Sequence, residues 1–403
     1  MKILFVGTNL PVPANNGQSI RSLSIIQALK SNGHELSFVS FAPRKRPEEL
    51  HSFIPLFDSV DLLEREMVNL TEQSNYLRRL GSLLMLRSFS VERFRSLAMR
   101  TKIQARLEER EYHLLVCDGM FALMNVPETN IPIALNCHNV EHIILQRYAQ
   151  LETNPGKKYY AMLESLLLRA AERHSCQRAS LIMACSQVDL GVFQSLYRGL
   201  RGFVVPNVID TDLVQPTETP VDPSRPVLLF QGGMDWYPNR DAVEYFVRFI
   251  LPRVRVQYPE TRLIVAGRNP PVKFVDQFKS DPSIDFTGTI PDMRPYLAAA
   301  SVVIVPLRVG GGTRIKILEA CAAGKPVVST LVGADGLELR SGREVLLADD
   351  PSEFASAIIY LLQNPAQAQA MVASARALVV ERYSREALRK SLEAAISSLR
   401  GAT

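Results

Sequence analysis

The chain has little cysteine and almost no tryptophan, five and one among 403 residues. Cys117, Cys137, Cys176, Cys185 and Cys321 are odd in number, sit mostly in apolar runs and lack CxxC spacing. Neither a disulfide framework nor a cysteine zinc site is indicated, and they read as small core residues. No run approaches the roughly 20 consecutive apolar residues of a membrane span. The opening MKILFVGTNLPVP has too short an apolar run for a signal peptide, so a cytoplasmic location is expected. Aromatics make up 7% and are not interleaved with the cations, which argues against a single-stranded nucleic-acid partner.

What charge there is falls unevenly. The net value is +5, and Arg78, Arg79, Arg87, Arg93, Arg95, Arg100, Lys102, Arg106 and Arg110 crowd a stretch that reads as helical around Leu83-Leu84-Met85-Leu86. Peripheral contact with an anionic membrane, at the inner face of the bilayer, or collection of an anionic substrate is one reading of that stretch. A solvated helical face is the favoured one, because Glu92, Glu108 and Glu109 dilute the charge.

The length exceeds what one hydrophobic core usually organises, so two domains are expected. In the first half, Ile3 to Val6, a helix from Ser19 to Lys30 and Leu36 to Phe41 form a βαβ unit. Strand candidates follow at Leu114 to Cys117, Ile133 to Cys137, Leu181 to Cys185 and Gly202 to Val205, with a long helical pattern from Lys157 to Arg178. The segment PTETPVDPSRP, 216–226, breaks every periodicity and reads as a linker. Strands then resume at Val227 to Gln231, Arg262 to Ala266, Ile284 to Thr287, Val302 to Val305, Val327 to Ser329 and Val345 to Leu347. The expected division is 1–212 and 213–383, each a doubly wound α/β domain, followed by a last helix in 384–403 capped by Ser384.

The most informative segment is VVIVPLRVGGGTRIKILEACAAGKPVVS, 302–329. A buried strand ends at Pro306. Gly310, Gly311 and Gly312 then leave backbone amides free to approach a ligand, and a helix beginning near Thr313 points unpaired N–H groups the same way. Arg314 and Lys316 add full positive charge, and Glu319 lies where a carboxylate can accept from ribose hydroxyls. A nucleotide diphosphate suits this arrangement. The bland alternative is a solvated Lys316–Glu319 pair at i,i+3, worth about 0.2–0.5 kcal/mol, which leaves the glycines without a purpose.

Other motifs are weaker alone. The loop from Gly7 to Gly17 is too long and proline-punctuated for the dinucleotide fingerprint, so an NAD enzyme is not expected. Gly17, just before a helix, is either a phosphate-approaching glycine or a plain turn residue. Asp118 and His138 each follow a strand, where open α/β sheets bind ligands; His138 could hydrogen-bond a sugar hydroxyl or its phosphate. Glu141 and His142 lack a third metal ligand, and Asp210-Thr211-Asp212 reads as turn and capping chemistry rather than a metal-binding DxD.

Taken together, MKILFVG with the Gly17 loop, NGHELSFVS, ACS, VVPNVIDTD, LIVAGRNP, FTGTIPDM, VPLRVGGGTRIKILEACAAGKPVVST and ERYS resemble, in order and spacing, the retaining glycosyltransferases of family 4. The resemblance implies the GT-B fold: two Rossmann-like domains facing a central cleft, with the C-terminal helix crossing back to the N-terminal domain. It implies a metal-independent enzyme without a cofactor, whose donor substrate is a nucleotide diphosphate sugar held mainly by the C-terminal domain. Carried over by position, Glu319 holds the ribose, and Arg314 and Lys316 lie near the diphosphate. Gly17 approaches the diphosphate from the other domain, His138 contacts the transferred sugar, and Gly288 to Pro291, with Ile290, flanks the base. Gly312 and Thr313 belong to the same donor loop, and Asp118 is the acceptor-side candidate.

Two departures matter. Where the family often has a second glutamate touching the donor sugar, this chain has Gly311. Where many members have an Arg and a Lys after the first strand of the C-terminal domain, it has Gly233, Met234 and Asp235. Arg314 and Lys316, helped by Arg308 or Arg268, are expected to carry that charge. The implied reaction is retaining transfer of a hexosyl group from a nucleotide sugar to a hydroxyl of a glycan, a lipid-linked sugar or a small molecule, in polysaccharide or glycoconjugate synthesis. A GT-B nucleotide-sugar epimerase and a noncatalytic sugar-nucleotide-binding subunit are the alternatives.

Overall fold

A computed structural model describes residues 1–45, 47–64, 79, 81–216 and 222–400. Arg78 of the basic stretch and 217–221 of the expected linker lie outside the described residues. The chain divides into two compact units, one of residues Met1–Pro206 with Leu388–Thr403, the other Asn207–Ala387. The first division falls ahead of the expected linker. Ile209 and Val214 already belong to the second core, and Asn207 donates to Thr313 Oγ1 at 2.7 Å.

The first unit is built on β1 (Lys2–Val6), β2 (Glu35–Ala42), β3 (Ser59–Glu64), β4 (Leu114–Asp118), β5 (Ile133–Asn136), β6 (Leu181–Ala184) and β7 (Gly202–Val204). They pair in the order β3-β2-β1-β4-β5-β6-β7, parallel throughout. β1 and β4 bury every residue or nearly so, because helices cover both faces of a parallel sheet. β3 escaped the sequence reading: SVDLLE is short, half-exposed and at the sheet edge.

The basic stretch is not one helix. Ser88 caps a short helix, Phe89–Glu92, and Ser96 caps a separate one, Leu97–Glu109; in each the serine hydroxyl accepts a first-turn N–H that the helix leaves unpaired. Several of its cations are paired: Arg106 with Asp61 at 2.5 Å, Lys102 with Asp61 at 3.6 Å, Arg95 with Glu92 at 2.8 Å, and Arg110 with Glu35. That is the chemistry of a solvated, ion-paired face.

The second unit repeats the plan with β8 (Val227–Gln231), β9 (Arg262–Ala266), β10 (Ile284–Gly288), β11 (Val302–Val305), β12 (Val327–Ser329) and β13 (Leu346–Leu347), ordered β10-β9-β8-β11-β12-β13 and parallel. In each sheet the strand order reverses beside the first strand, between β1 and β4 and between β8 and β11. At such a point the loops leaving the strand ends part and open a crevice for a ligand.

Ser384 caps the last helix, Arg385–Arg400, through Ala387 N–H. From Leu388 onward this helix packs in the first unit, burying Leu388, Leu392, Ala395 and Ile396. Asn32, at the end of the Gly17–Ser31 helix, donates to Glu393 at 3.0 Å, and Arg201 donates to the Ser398 carbonyl at 2.7 Å.

Candidate active site

In the second unit the polar groups gather where β8 and β11 end. β8 is apolar until its last residue, Gln231, which is buried. Its Nε2 donates to the Lys316 carbonyl at 2.7 Å and to Glu319 Oε2 at 3.2 Å, while its Oε1 is buried without a hydrogen-bond partner among the described residues. The backbone then turns through Gly232 at φ +156°. A Cβ there would meet Asn239 Nδ2 at 2.7 Å and Lys316 Nζ at 2.8 Å, so only glycine leaves room for both groups.

From the other side comes the loop after β11. Gly310 has φ +152°, and a Cβ on it would lie 2.2 Å from the Arg314 guanidinium, whose Nη1 donates to the Gly311 carbonyl. Gly312 follows at φ +67°, Thr313 is buried, and Arg314 is the N-cap position of the Ile315–Ala322 helix. The helix therefore starts slightly later than Thr313. Lys316, on its first turn, reaches back: Nζ is 3.0 Å from Asn239 Oδ1 and 4.4 Å from the centre of the Phe230 ring. Asn239 is itself anchored by donating to the Gly233 carbonyl at 2.8 Å.

This packing perturbs both charges. Burial, then Arg314, lowers Lys316 to about 7, with Glu319 opposing. Burial raises Glu319 to about 7, with Lys316 opposing. Two ionisable groups shifted towards neutrality at the end of a parallel sheet mark this cluster as a candidate site.

The remaining candidates of this unit stand around that cluster. Arg308 is committed elsewhere, gripping Asp241 with Nε at 3.0 Å and Nη2 at 2.5 Å and lying 4.5 Å from the Tyr245 ring centre. Arg268 pairs with Asp235 at 3.5 Å, and its carbonyl receives Met234 N–H, so it borders the Gly233 loop. Gly288, at φ +68°, ends β10 at a register shift, and Ile290 packs on the second core.

In the first unit Asp118 ends β4, almost fully buried. It accepts from Ser22 Oγ at 2.7 Å, Asn136 Nδ2 at 2.7 Å and His138 Nε2 at 2.9 Å. Burial pushes the carboxyl up, but His138 and these hydrogen bonds outweigh it and hold Asp118 below its ordinary value. The contact with Asp118 at Nε2 fixes the orientation of the His138 ring. The other nitrogen, Nδ1, is buried without a partner among the described residues. Asn136 Oδ1 in turn accepts from the buried Arg21, which also donates to the Val205 carbonyl at 2.6 Å. Arg21 thereby fixes the helix that starts at Gly17, exposed and preceded by the N-cap Asn16.

Residues 15–213 match Glycosyltransferase Family 4, and residues 225–364 match Glycosyl transferases group 1. The chain belongs to the family 4 glycosyltransferases. An uncharacterized 44.6 kDa protein in the cps region of Klebsiella pneumoniae is 22% identical over 398 residues, covering 95% of this chain and 96% of that one. Among solved structures, the sucrose-phosphate synthase of Thermosynechococcus elongatus superposes with a TM-score of 0.73 at 16% identity, each chain fully covered. Anabaena Alr3699/HepE, in complex with UDP and glucose, gives 0.67 at 15% identity, covering 99% of this chain and 100% of that one. These neighbours carry the GT-B fold.

In this glycosyltransferase the segment Gly310 to Glu319 is supported by Gln231, Asn239 and Phe230. Sequence reading missed those three. The available signal was one glutamine closing an otherwise apolar strand, and an asparagine near a helix start. It also missed the polar network of Ser22, Arg21 and Asn136 under Asp118, whose members are scattered along the chain. Glu141 and His142 belong to no metal-ligand cluster among the described residues; the backbone N–H of Glu141 and Nδ1 of His142 both donate to the buried Glu172. Asp210 accepts from the N–H groups of Asp212 and Leu213, which is turn chemistry.

Proposed function

We propose that this glycosyltransferase is a metal-independent, retaining enzyme that moves a hexosyl group from a nucleotide diphosphate sugar to an acceptor hydroxyl. The observation that carries the reading is the half-buried Lys316–Glu319 pair at the β8/β11 reversal beside the glycine loop. Glu319 accepts from the ribose hydroxyls. Lys316, Arg314 and the loop amides take the diphosphate, with Thr313, Gly311, Gly312 and Gly233 providing close backbone approach. Arg268 adds charge at the edge of the site, and Arg308 acts through Asp241 by holding the Tyr237–Tyr245 helix. Gly288 and Ile290 border the base.

As the bond from the anomeric carbon to the β-phosphate oxygen breaks, its electron pair passes to the phosphate. The cations stabilise that growing charge more than they stabilise the bound donor. The acceptor oxygen bonds to the same face of the anomeric carbon and its proton passes to the departing phosphate. His138, its ring fixed by Asp118, accepts from a sugar hydroxyl through Nδ1. The kinship with a cps-region protein supports a place in polysaccharide synthesis.

Thermal unfolding with UDP, GDP, ADP, dTDP and their sugar conjugates, with and without EDTA, tests the donor site. Ligand at 100 times Kd adds about 2.7 kcal/mol. An EDTA-insensitive rise with one base is expected, followed by NMR of the product showing the donor's anomeric configuration. No rise with any nucleotide, or inversion at the anomeric carbon, overturns the proposal.

A further inference from the structure

The helix Pro155–Arg178 presents an unusual outer face. One side packs inward through Ala161, Ser165, Leu168 and Cys176. On the other, Tyr159, Met162, Leu163 and Leu166 are 71%, 49%, 40% and 58% exposed. Their spacing, i, i+3, i+4 and i+7, stacks them into one stripe along the helix. Isolated exposed apolar residues are ordinary, but an aligned group of large ones marks a surface that meets something.

The charges of this helix sort with the stripe. Its two carboxylates, Glu164 and Glu172, both turn inward and are buried. Glu164 accepts from Ser88 Oγ at 2.6 Å and the Ser90 N–H at 2.9 Å, and Glu172 accepts from Glu141 N–H and His142. Arg178, at the helix end, turns inward onto the carbonyls of Leu123, Val126 and Pro127, but Lys158 precedes the stripe, Arg169 and Arg173 continue its side of the helix, and these three are exposed. Leu84, Met85 and Leu86 are also exposed, in the segment leading to Ser88, which Glu164 ties to this helix.

We infer that this outer face docks on an anionic lipid bilayer. The helix lies in the plane of the surface, the apolar stripe enters the acyl boundary and Arg169 and Arg173, helped by Lys158, meet headgroup phosphates. A second copy of the chain is the poorer occupant, because isologous contact sets the cations of one face against those of the other. The sequence pointed to the 78–110 stretch for such contact; there the cations are largely paired with carboxylates, whereas here the carboxylates are withdrawn.

The test is cosedimentation of the full chain with vesicles of phosphatidylcholine alone and of phosphatidylcholine with phosphatidylglycerol. Binding is expected only with the anionic lipid, falling as salt rises. Leu163→Ser with Leu166→Ser, and separately Arg169→Gln with Arg173→Gln, should each weaken it by about tenfold or more. Both pairs are solvent-exposed, so the unfolding temperature and the nucleotide-induced rise in it should stay at wild-type values; that control separates failure of this proposal from failure of the donor-site reading. Equal binding to neutral vesicles, binding insensitive to both double variants, or a concentration-dependent dimer that the same variants dissolve would overturn it.

Discussion

Lys316 rests on Asn239: its ammonium lies 3.0 Å from a neutral amide oxygen and over the Phe230 ring, in a pocket that Gly232 leaves open. A cation held by an amide and a ring is placed but not neutralised. It keeps its attraction for a diphosphate and costs the empty protein some stability.

Replacing Lys316 by Met removes that cost and the charge together. The expected outcome is a fall in kcat of about 10²–10³, the scale of losing one transition-state stabilising group. The ligand-free protein should be at least as heat-stable as wild type. Steady-state kinetics and a melting curve on the same preparation check both halves; undiminished turnover would remove Lys316 from the mechanism.

Asn239→Asp puts a carboxylate beside the same ammonium. The new partner raises the Lys316 pKa and competes with the diphosphate. The alkaline limb of the rate profile should move up by about one pH unit or more, with weaker nucleotide binding. An unmoved limb in a pH–rate series would show that Lys316 does not govern it.

Nucleotide affinity itself should be bell-shaped in pH. Lys316, lowered to about 7, must be protonated to meet the diphosphate, so affinity falls above that value. Glu319, raised to about 7, must be ionised to accept from ribose, so affinity falls below it. The two titrate as a coupled pair. Calorimetry in buffers of different ionisation enthalpy should find proton uptake on the alkaline side and proton release on the acidic side. Affinity flat from pH 6 to 8.5 would contradict it.

The two partners of the first-unit dyad should separate in their effects. His138→Ala should cut kcat by at least about tenfold, as expected for a positioned group on the sugar, while nucleotide affinity is kept. Asp118→Asn loses an ionised acceptor of three hydrogen bonds and should destabilise the fold by about 2–4 kcal/mol as well. Denaturant unfolding and nucleotide titration distinguish them; equal and complete loss of nucleotide binding in both would move His138 to the donor phosphate.

Glu319→Gln keeps the shape and removes the charge. Nucleotide affinity should fall by roughly 1.5–3 kcal/mol, the worth of hydrogen bonds to a charged group. The 2′-deoxy nucleotide should lose far less than the ribonucleotide. Identical losses for the two sugars would mean that Glu319 does not read the ribose.

Local patterns carried the sequence a long way. Apolar β-branched runs separated by helical periodicity spelled out two parallel α/β halves, since a strand buried on both faces must be apolar throughout. The glycine loop and the charged residues after Val302–Val305 were legible as a candidate site because strand, loop and helix are contiguous in the chain. Tertiary structure decided the rest. Gln231 and Asn239 reach Glu319 and Lys316 across the β8/β11 reversal, and Ser22 and Asn136 meet Asp118 from separate elements, with Arg21 behind Asn136, joined by sheet order that no local spacing encodes. The perturbed charges are likewise tertiary, because desolvation depends on what packs around a side chain. Residues that make a ligand site by sequence neighbourhood can be read from the chain; those that tune its charge are brought together only by folding.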